Sequence, residues 1–217
     1  MKTNKLEDKN SKLKIAVDGE AGTGKGVICK KVSNDYGLFY YSSGIFYRKL
    51  AYIIMDRNIE TLEGIIDASK EDSEIEGVDD SLIYSEKVAQ KTSQIATIKE
   101  VRENLGKVQR NIFLKYDRII MEGRDIGTVI APDADIKLYF TASVEVRAKR
   151  RCAQYLAEGK YADEKEMISQ IKERDERDKN REAGPLKIAQ DAIVLENNED
   201  GIDAFYKKVI DEILKRA

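Results

Sequence analysis

The chain contains no histidine among its 217 residues. That absence removes Ser-His and Cys-His nucleophile pairs and most zinc chemistry, so any reaction must proceed without an imidazole. Cysteine is nearly as scarce. Cys29 and Cys152 stand far apart, in segments of helical character, with no metal-ligand spacing, and are expected to be reduced thiols of an intracellular protein. No run approaches the roughly 18 consecutive apolar residues of a membrane span. The start, M-K-T-N-K-L-E-D-K-N-S-K, has no apolar run after its lysines and so resembles neither a signal nor a transit peptide. Residues 1–12 are expected to be a disordered tail before one domain over 13–217, and the location to be cytoplasmic. An excess of one charge is also missing: 38 Lys+Arg against 40 Asp+Glu leave −2, which argues against whole-surface attraction to nucleic acid or membrane.

What is present begins with 41% apolar residues, enough for a proper core. Five short apolar runs, 15–17, 38–41, 119–121, 136–140 and 192–195, have the length of buried parallel strands. Segments of helical period lie between them. The alternation predicts an α/β fold: a doubly wound, five-stranded parallel sheet flanked by helices. Phe205, Tyr206, Val209, Ile210, Ile213 and Leu214 share one face of a last helix; Val101, Leu105, Val108 and Ile112 mark another, and Val144, Ala148, Cys152 and Tyr155 a third. Two stretches break the rhythm. The acidic segment 58–86 is only weakly periodic and is expected to be an insertion or flap outside the main core. Residues 159–184 are densely charged, with few large apolar side chains after Ile171, as in a solvated helix or a lid over a ligand.

The strongest chemical signal is Gly19-Glu20-Ala21-Gly22-Thr23-Gly24-Lys25-Gly26, with Val27 following, set between the first strand and a helical segment. Strand, glycine-rich turn and helix is the context of a phosphate-binding loop, in which backbone N–H groups cradle the phosphates and Lys25 adds a point charge. Gly26 stands where a Ser or Thr would ligate Mg²⁺. The ion must then be held by nucleotide phosphates, water and a carboxylate such as Glu122. The loop implies nucleotide phosphate binding without fixing the reaction. A GTP-dependent switch would carry N-K-x-D after the loop, and that motif does not occur there.

Arginines supply candidates for a second anion pocket. Arg48 follows S-S-G-I-F-Y, and Arg124 follows Glu122-Gly123 after the third strand, at the carboxyl ends of elements that border the loop's crevice in a doubly wound sheet. Arg174, Arg177 and Arg181 are spaced to share a helix face, although Arg174/Asp178 and Glu173/Arg177 equally suit a self-neutralising surface helix.

These pieces together resemble bacterial cytidylate kinases, from Ile15 to about residue 195. The resemblance lies in G-x-x-G-x-G-K-G at 19–26, S-G-x-x-Y-R at 43–48, S-Q-x-A with V-R at 93–102, G-R-D-I-G-T-V at 123–129, P-D-A at 132–134 and K-E-R-D-x-R-D-x-N-R-x-x-x-P-L at 172–186. It implies a P-loop kinase fold with a nucleoside-monophosphate-binding region at about 43–105 and a helical lid at about 155–184. It implies transfer of the γ-phosphoryl group of Mg·ATP to CMP or dCMP by a protein expected to be a monomer. Residues 19–27 would bind ATP. Arg48, Arg124 and Arg181 would hold the acceptor phosphate, with Tyr47 and Gly123 nearby; Ser43 and Asp178 would approach the sugar. Asp125 and Ser93 would accept from the cytosine amino group, Arg102 would donate to the ring acceptors, and Lys25, Arg124, Arg174 and Arg181 would carry catalysis. UMP, with a carbonyl facing Asp125, is expected to be a poor substrate. The family's loop more often reads G-P-S-G-x-G-K-G-T; Glu20 here brings a negative charge beside the phosphates, from which weaker ATP binding is expected.

Overall fold

The structure, a computed structural model, describes residues 5–198 and 201–217. Five strands form one parallel sheet in the order β2-β3-β1-β4-β5: β1 (Leu13–Gly19), β2 (Phe39–Ser42), β3 (Arg118–Glu122), β4 (Ile136–Thr141) and β5 (Ile193–Glu196). Each expected strand run is present, with ends shifted by at most two residues. The helices are α1 (Lys25–Tyr36), α2 (Ser43–Asp56), α3 (Leu62–Ala68), α4 (Asp72–Gly77), α5 (Glu86–Ile95), α6 (Lys99–Lys115), α7 (Val144–Ala157), α8 (Glu164–Asn180) and α9 (Ile202–Leu214). Strand order reverses on either side of β1, and such a switch point opens a crevice at the strands' carboxyl ends.

The period of two along β1 divides the core. Leu13, Ile15 and Val17 face α1 and α9, where Ile28, Val32, Phe205 and Val209 cover them, and Phe140 meets Phe205 edge to face at 5.0 Å between centroids. Ala16 points the other way with Ile119 and Met121 of β3, against Phe113 of α6. A second core lies over the acceptor-side helices, with Phe46, Leu50 and Ile54 of α2 packed against Val88 of α5 and Val101 and Leu105 of α6. A third joins α7 to α8 through Ala148, Met167 and Ile171. Ser143 and Asp163 begin these two helices by accepting the backbone N–H groups of Val146 and Glu166 at 3.3 and 2.9 Å.

Three expectations change. The tail expected to be disordered over 1–12 is packed from residue 5 onward: Leu6 is fully buried in the main core. Arg118 donates to the carbonyls of Lys5, Leu6, Asp8 and Ser11 at 2.8–3.0 Å. One leucine among polar residues gives no periodic signal, yet it suffices when an arginine gathers the surrounding carbonyls; residues 1–4 lie outside the described residues. The acidic segment 58–86 lies outside the main core, yet it is a packed layer and not a loose flap: α3, α4 and the short turn after them each add one buried isoleucine, Ile65, Ile75 and Ile83, to the second core. Arg181 follows α8 instead of lying within it, so it does not share the helical face of Arg174 and Arg177.

Candidate active site

The loop between β1 and α1 holds its shape through glycine. Gly19 has φ 145°, and a Cβ there would fall 2.0 Å from the Phe140 carbonyl oxygen; Gly24 is left-handed at φ 92°. Asn197, after β5, donates to the Thr23 carbonyl at 2.9 Å and ties the loop to the far side of the sheet. Lys25 turns its ammonium onto the loop itself, donating to the Gly19 and Glu20 carbonyls at 2.8 and 2.7 Å. Burial, then the neighbouring Arg124, lowers its pKa to about 7.

A cleft of about 1000 Å³ is lined both by the loop, Lys25 included, and by the residues singled out in the motifs at 43–48, 93–102, 123–129 and 172–186. Ala21 to Val27, Ser43, Tyr47, Arg48, Ser93, Arg102, Glu122, Gly123, Arg124, Asp125, Arg174, Asp178 and Arg181 all line it. Gly19 and Glu20 do not. The Glu20 side chain is 7% exposed and lies within hydrogen-bonding reach of Tyr139 on β4, so the charge expected beside the phosphates is turned into the fold.

The arginine cluster in the cleft is built around two carboxylates. Asp125 forms a short ion pair with Arg102 and lies 3.9 Å from Arg181. Asp178 accepts from Arg124 at 2.9 Å and from Arg181 at 3.4 Å. Attraction from Arg124, Arg174 and Arg181 outweighs burial and holds the Asp178 carboxyl below its usual range. Arg48 has no carboxylate partner among the described residues; it donates to the Ile83 carbonyl at 3.0 Å, which the acidic segment 58–86 supplies. Burial and Arg124 lower Arg174 to about 10, and its buried Nε has no partner among the described residues. The guanidinium groups of Arg48, Arg102, Arg124, Arg174 and Arg181 thus outnumber Asp125 and Asp178, and a cluster with that surplus is built to receive an anion.

Arg147, Asp175 and Asp18 escaped the sequence reading, and Arg177 was expected only on a face shared with Arg174 and Arg181. Arg147 of α7 makes a two-bond pair with Asp175 of α8, 3.1 and 2.7 Å, and also reaches the Ala21 carbonyl at 3.3 Å, joining the lid-like helix to the loop. Arg177, which also keeps its surface partner Glu173 at 3.2 Å, donates to Ser93 Oγ at 2.8 Å and bridges α8 to α5. Asp18 is buried beneath the loop. Only the i,i+3 step from Asp175 to Asp178 hinted that one acidic face of α8 turns inward.

Glu122 fits a magnesium ion that keeps most of its ligands as water and phosphate. Its Oε1 accepts from Ser42 at 2.5 Å and Tyr40 at 3.3 Å, and it lies 3.9 Å from where a Cβ on Gly26 would stand, beside the end of the loop. Among the described residues no three His, Cys, Asp or Glu side chains group as a metal cage, and no helix is long and apolar enough to cross a membrane.

Comparison with known proteins places this geometry in context. A family model described as cytidylate kinase matches residues 15–216. A cytidylate kinase of Rickettsia felis is 42% identical over 197 residues, covering 90% of this chain and 89% of its own. That of Agrobacterium fabrum is 35% identical over 206 residues, covering 93% and 98%. Among solved structures, shikimate kinase from Bacteroides thetaiotaomicron superimposes with a TM-score of 0.52 at 12% identity, covering 94% of this chain and 99% of that one, a likeness of fold alone.

Proposed function

The chain belongs to the cytidylate kinase family, and on that premise we propose how its residues divide the work of moving the γ-phosphoryl group of ATP to CMP or dCMP. The protein is an ATP-dependent nucleoside monophosphate kinase of pyrimidine nucleotide metabolism. The observation that carries the assignment of roles is the guanidinium surplus in the cleft that Lys25 also lines.

In this assignment the backbone of the loop and Lys25 hold the donor phosphates, which requires Lys25 to leave the Gly19 and Glu20 carbonyls. Arg48, Arg124 and Arg181 take the acceptor phosphate, with Tyr47 and Gly123 at its edge. Asp125 and Arg102, already side by side, offer an acceptor and a donor to the edge of cytosine, whose amino group donates and whose O2 and N3 accept. Ser93 Oγ accepts one N–H from Arg177 and keeps a second lone pair for the amino group. Ser43 and Asp178 face the sugar. Residues of about 43–105 form the acceptor-binding region and about 155–184 the lid, a division supported by their separate cores.

A phosphate oxygen of CMP attacks the γ-phosphorus in line and ADP leaves. The acceptor phosphate, with its second pKa near ~6, is largely dianionic at neutral pH and needs no general base. Catalysis rests on alignment and on charge neutralisation by Lys25, Arg124, Arg174 and Arg181 in a water-poor cleft. Glu122 would hold Mg²⁺, which when bound neutralises the β- and γ-phosphates. Nucleotide substrates and two free thiols, Cys29 and Cys152, suit a reducing cytoplasm.

A coupled ADP-release assay across CMP, dCMP, UMP, AMP and dTMP tests the assignment. CMP and dCMP should be turned over far faster than UMP; preference for AMP or dTMP would overturn the cytosine-binding roles.

A further inference from the structure

Asp18, next to last in β1, is 4% exposed and has no role in the division of work above. Its two oxygens act separately: Oδ1 accepts the Ile126 N–H at 2.8 Å and Oδ2 the Gly127 N–H at 2.7 Å. These consecutive amides open the wide helical turn Ile126–Ile130, directly after Arg124 and Asp125. The turn closes back on Asp125, whose carbonyl accepts from Val129 at 2.8 Å and from Ile130 at 3.2 Å. Amides that open a helical turn have no partner inside it, and buried ones need another.

The arrangement is retained at a cost. Burial pushes the Asp18 carboxyl up to about 6; the two amides and Lys25 pull it down only in part, while Asp125 adds to the rise. Gly127 is matched to it, since a Cβ there would lie 3.3 Å from Asp18 Oδ2 and 3.2 Å from Lys137 Cδ. On its other side Asp18 continues into Gly19, where the phosphate loop begins.

We propose that Asp18 is a positioning residue that sets the distance between the donor loop and the acceptor-binding pair Arg124 and Asp125, acting through the Ile126 and Gly127 amides without touching either substrate. The inference rests on the acceptor roles assigned above. Asparagine at this position keeps the shape and one acceptor, but sets its own N–H group against a backbone N–H. The displaced turn carries Arg124 and Asp125 with it, while the backbone cradle of Gly22 and Gly24, held from the far side by Asn197, stays in place.

Steady-state kinetics of Asp18→Asn and Gly127→Ala with CMP, UMP and ATP test this. In Asp18→Asn the KM for CMP should rise about tenfold or more, the loss of a hydrogen bond to a charged group. The KM for ATP should stay within about threefold and the preference for CMP over UMP should narrow. Gly127→Ala, which keeps the charge and crowds the same contact, should move the same constants less. A parallel rise of both KM values, or unchanged acceptor constants in a folded variant, would overturn the proposal. Should Asp18→Asn fail to fold, Gly127→Ala decides by the same criteria. The wild type separates the two layers: if it turns over CMP and the variants lose both substrates alike, only the positioning role falls. If it does not turn over CMP, the functional assignment falls, and Asp18 is judged by amide resonances. The variants must then shift Arg124 and Asp125 and leave Gly22 and Gly24; unmoved Arg124 and Asp125 resonances contradict the role.

Discussion

Binding of Mg·ATP should draw a proton from solution at about pH 8, and Lys25 should be its destination. Without nucleotide the Lys25 ammonium is buried on two carbonyls and its pKa stands at about 7. Replacing those carbonyls by phosphate oxygens favours the charged form and returns the group to its ordinary value of roughly 10.4 or above. The sign follows: the bound state holds the proton more tightly, so affinity is greatest below pH ~7 and falls as pH rises above it. At pH ~8 the free protein lacks about 0.9 of that proton and at pH ~6 only about 0.1, while affinity drops about fivefold from pH ~7 to ~8. Calorimetric titration in buffers of different ionisation enthalpy reads the uptake directly, since at pH ~8 the phosphates are already ionised. Lys25→Arg, whose guanidinium stays protonated throughout, is the control and should show none. Absent uptake at pH ~8 in the wild type, or equal uptake in Lys25→Arg, would refute the buried, deprotonation-prone lysine.

The remaining predictions concern stability. Arg147 and Asp175 are 4% and 5% exposed, so Asp175→Asn leaves a buried guanidinium without its counter-charge and should cost ~3–5 kcal/mol in urea unfolding; the double substitution Arg147→Met with Asp175→Leu should recover much of that, and equal loss in both would contradict a desolvation origin. Leu6→Ala should cost ~2–4 kcal/mol, as at any core position, and an unchanged urea midpoint would mean that residues 5–12 are not docked in solution.

The sheet was legible because parallel strands buried on both faces appear as short uninterrupted apolar runs such as 119–121, and the loop because its glycines and Lys25 keep a fixed spacing. The acceptor motifs were legible as arginines at strand and helix ends, and the structure brings them to the same cleft. Buried charge was the blind spot. Asp18, Arg147 and Asp175 are indistinguishable in sequence from the solvated charges around them, because their partners are backbone amides and side chains from 28 to 109 residues away. Sparse anchoring was the other. Ile65, Ile75 and Ile83 each give a short element one buried side chain, too few for any periodicity, so a structural layer that holds Arg48 was expected to be an insertion or flap. Glu20 shows the converse error: a charge in the phosphate loop need not face the phosphate when a buried tyrosine lies beneath it.

The proposed division of work puts the donor and acceptor phosphates in one cleft, lined by both Lys25 and the arginine cluster. A cytidine and an adenosine joined through a polyphosphate chain long enough to span both pockets tests it in a single binding titration. The linked ligand should bind far more tightly than ATP or CMP alone and be displaced by either one. Affinity no better than that of ATP, with no competition from CMP, would contradict it.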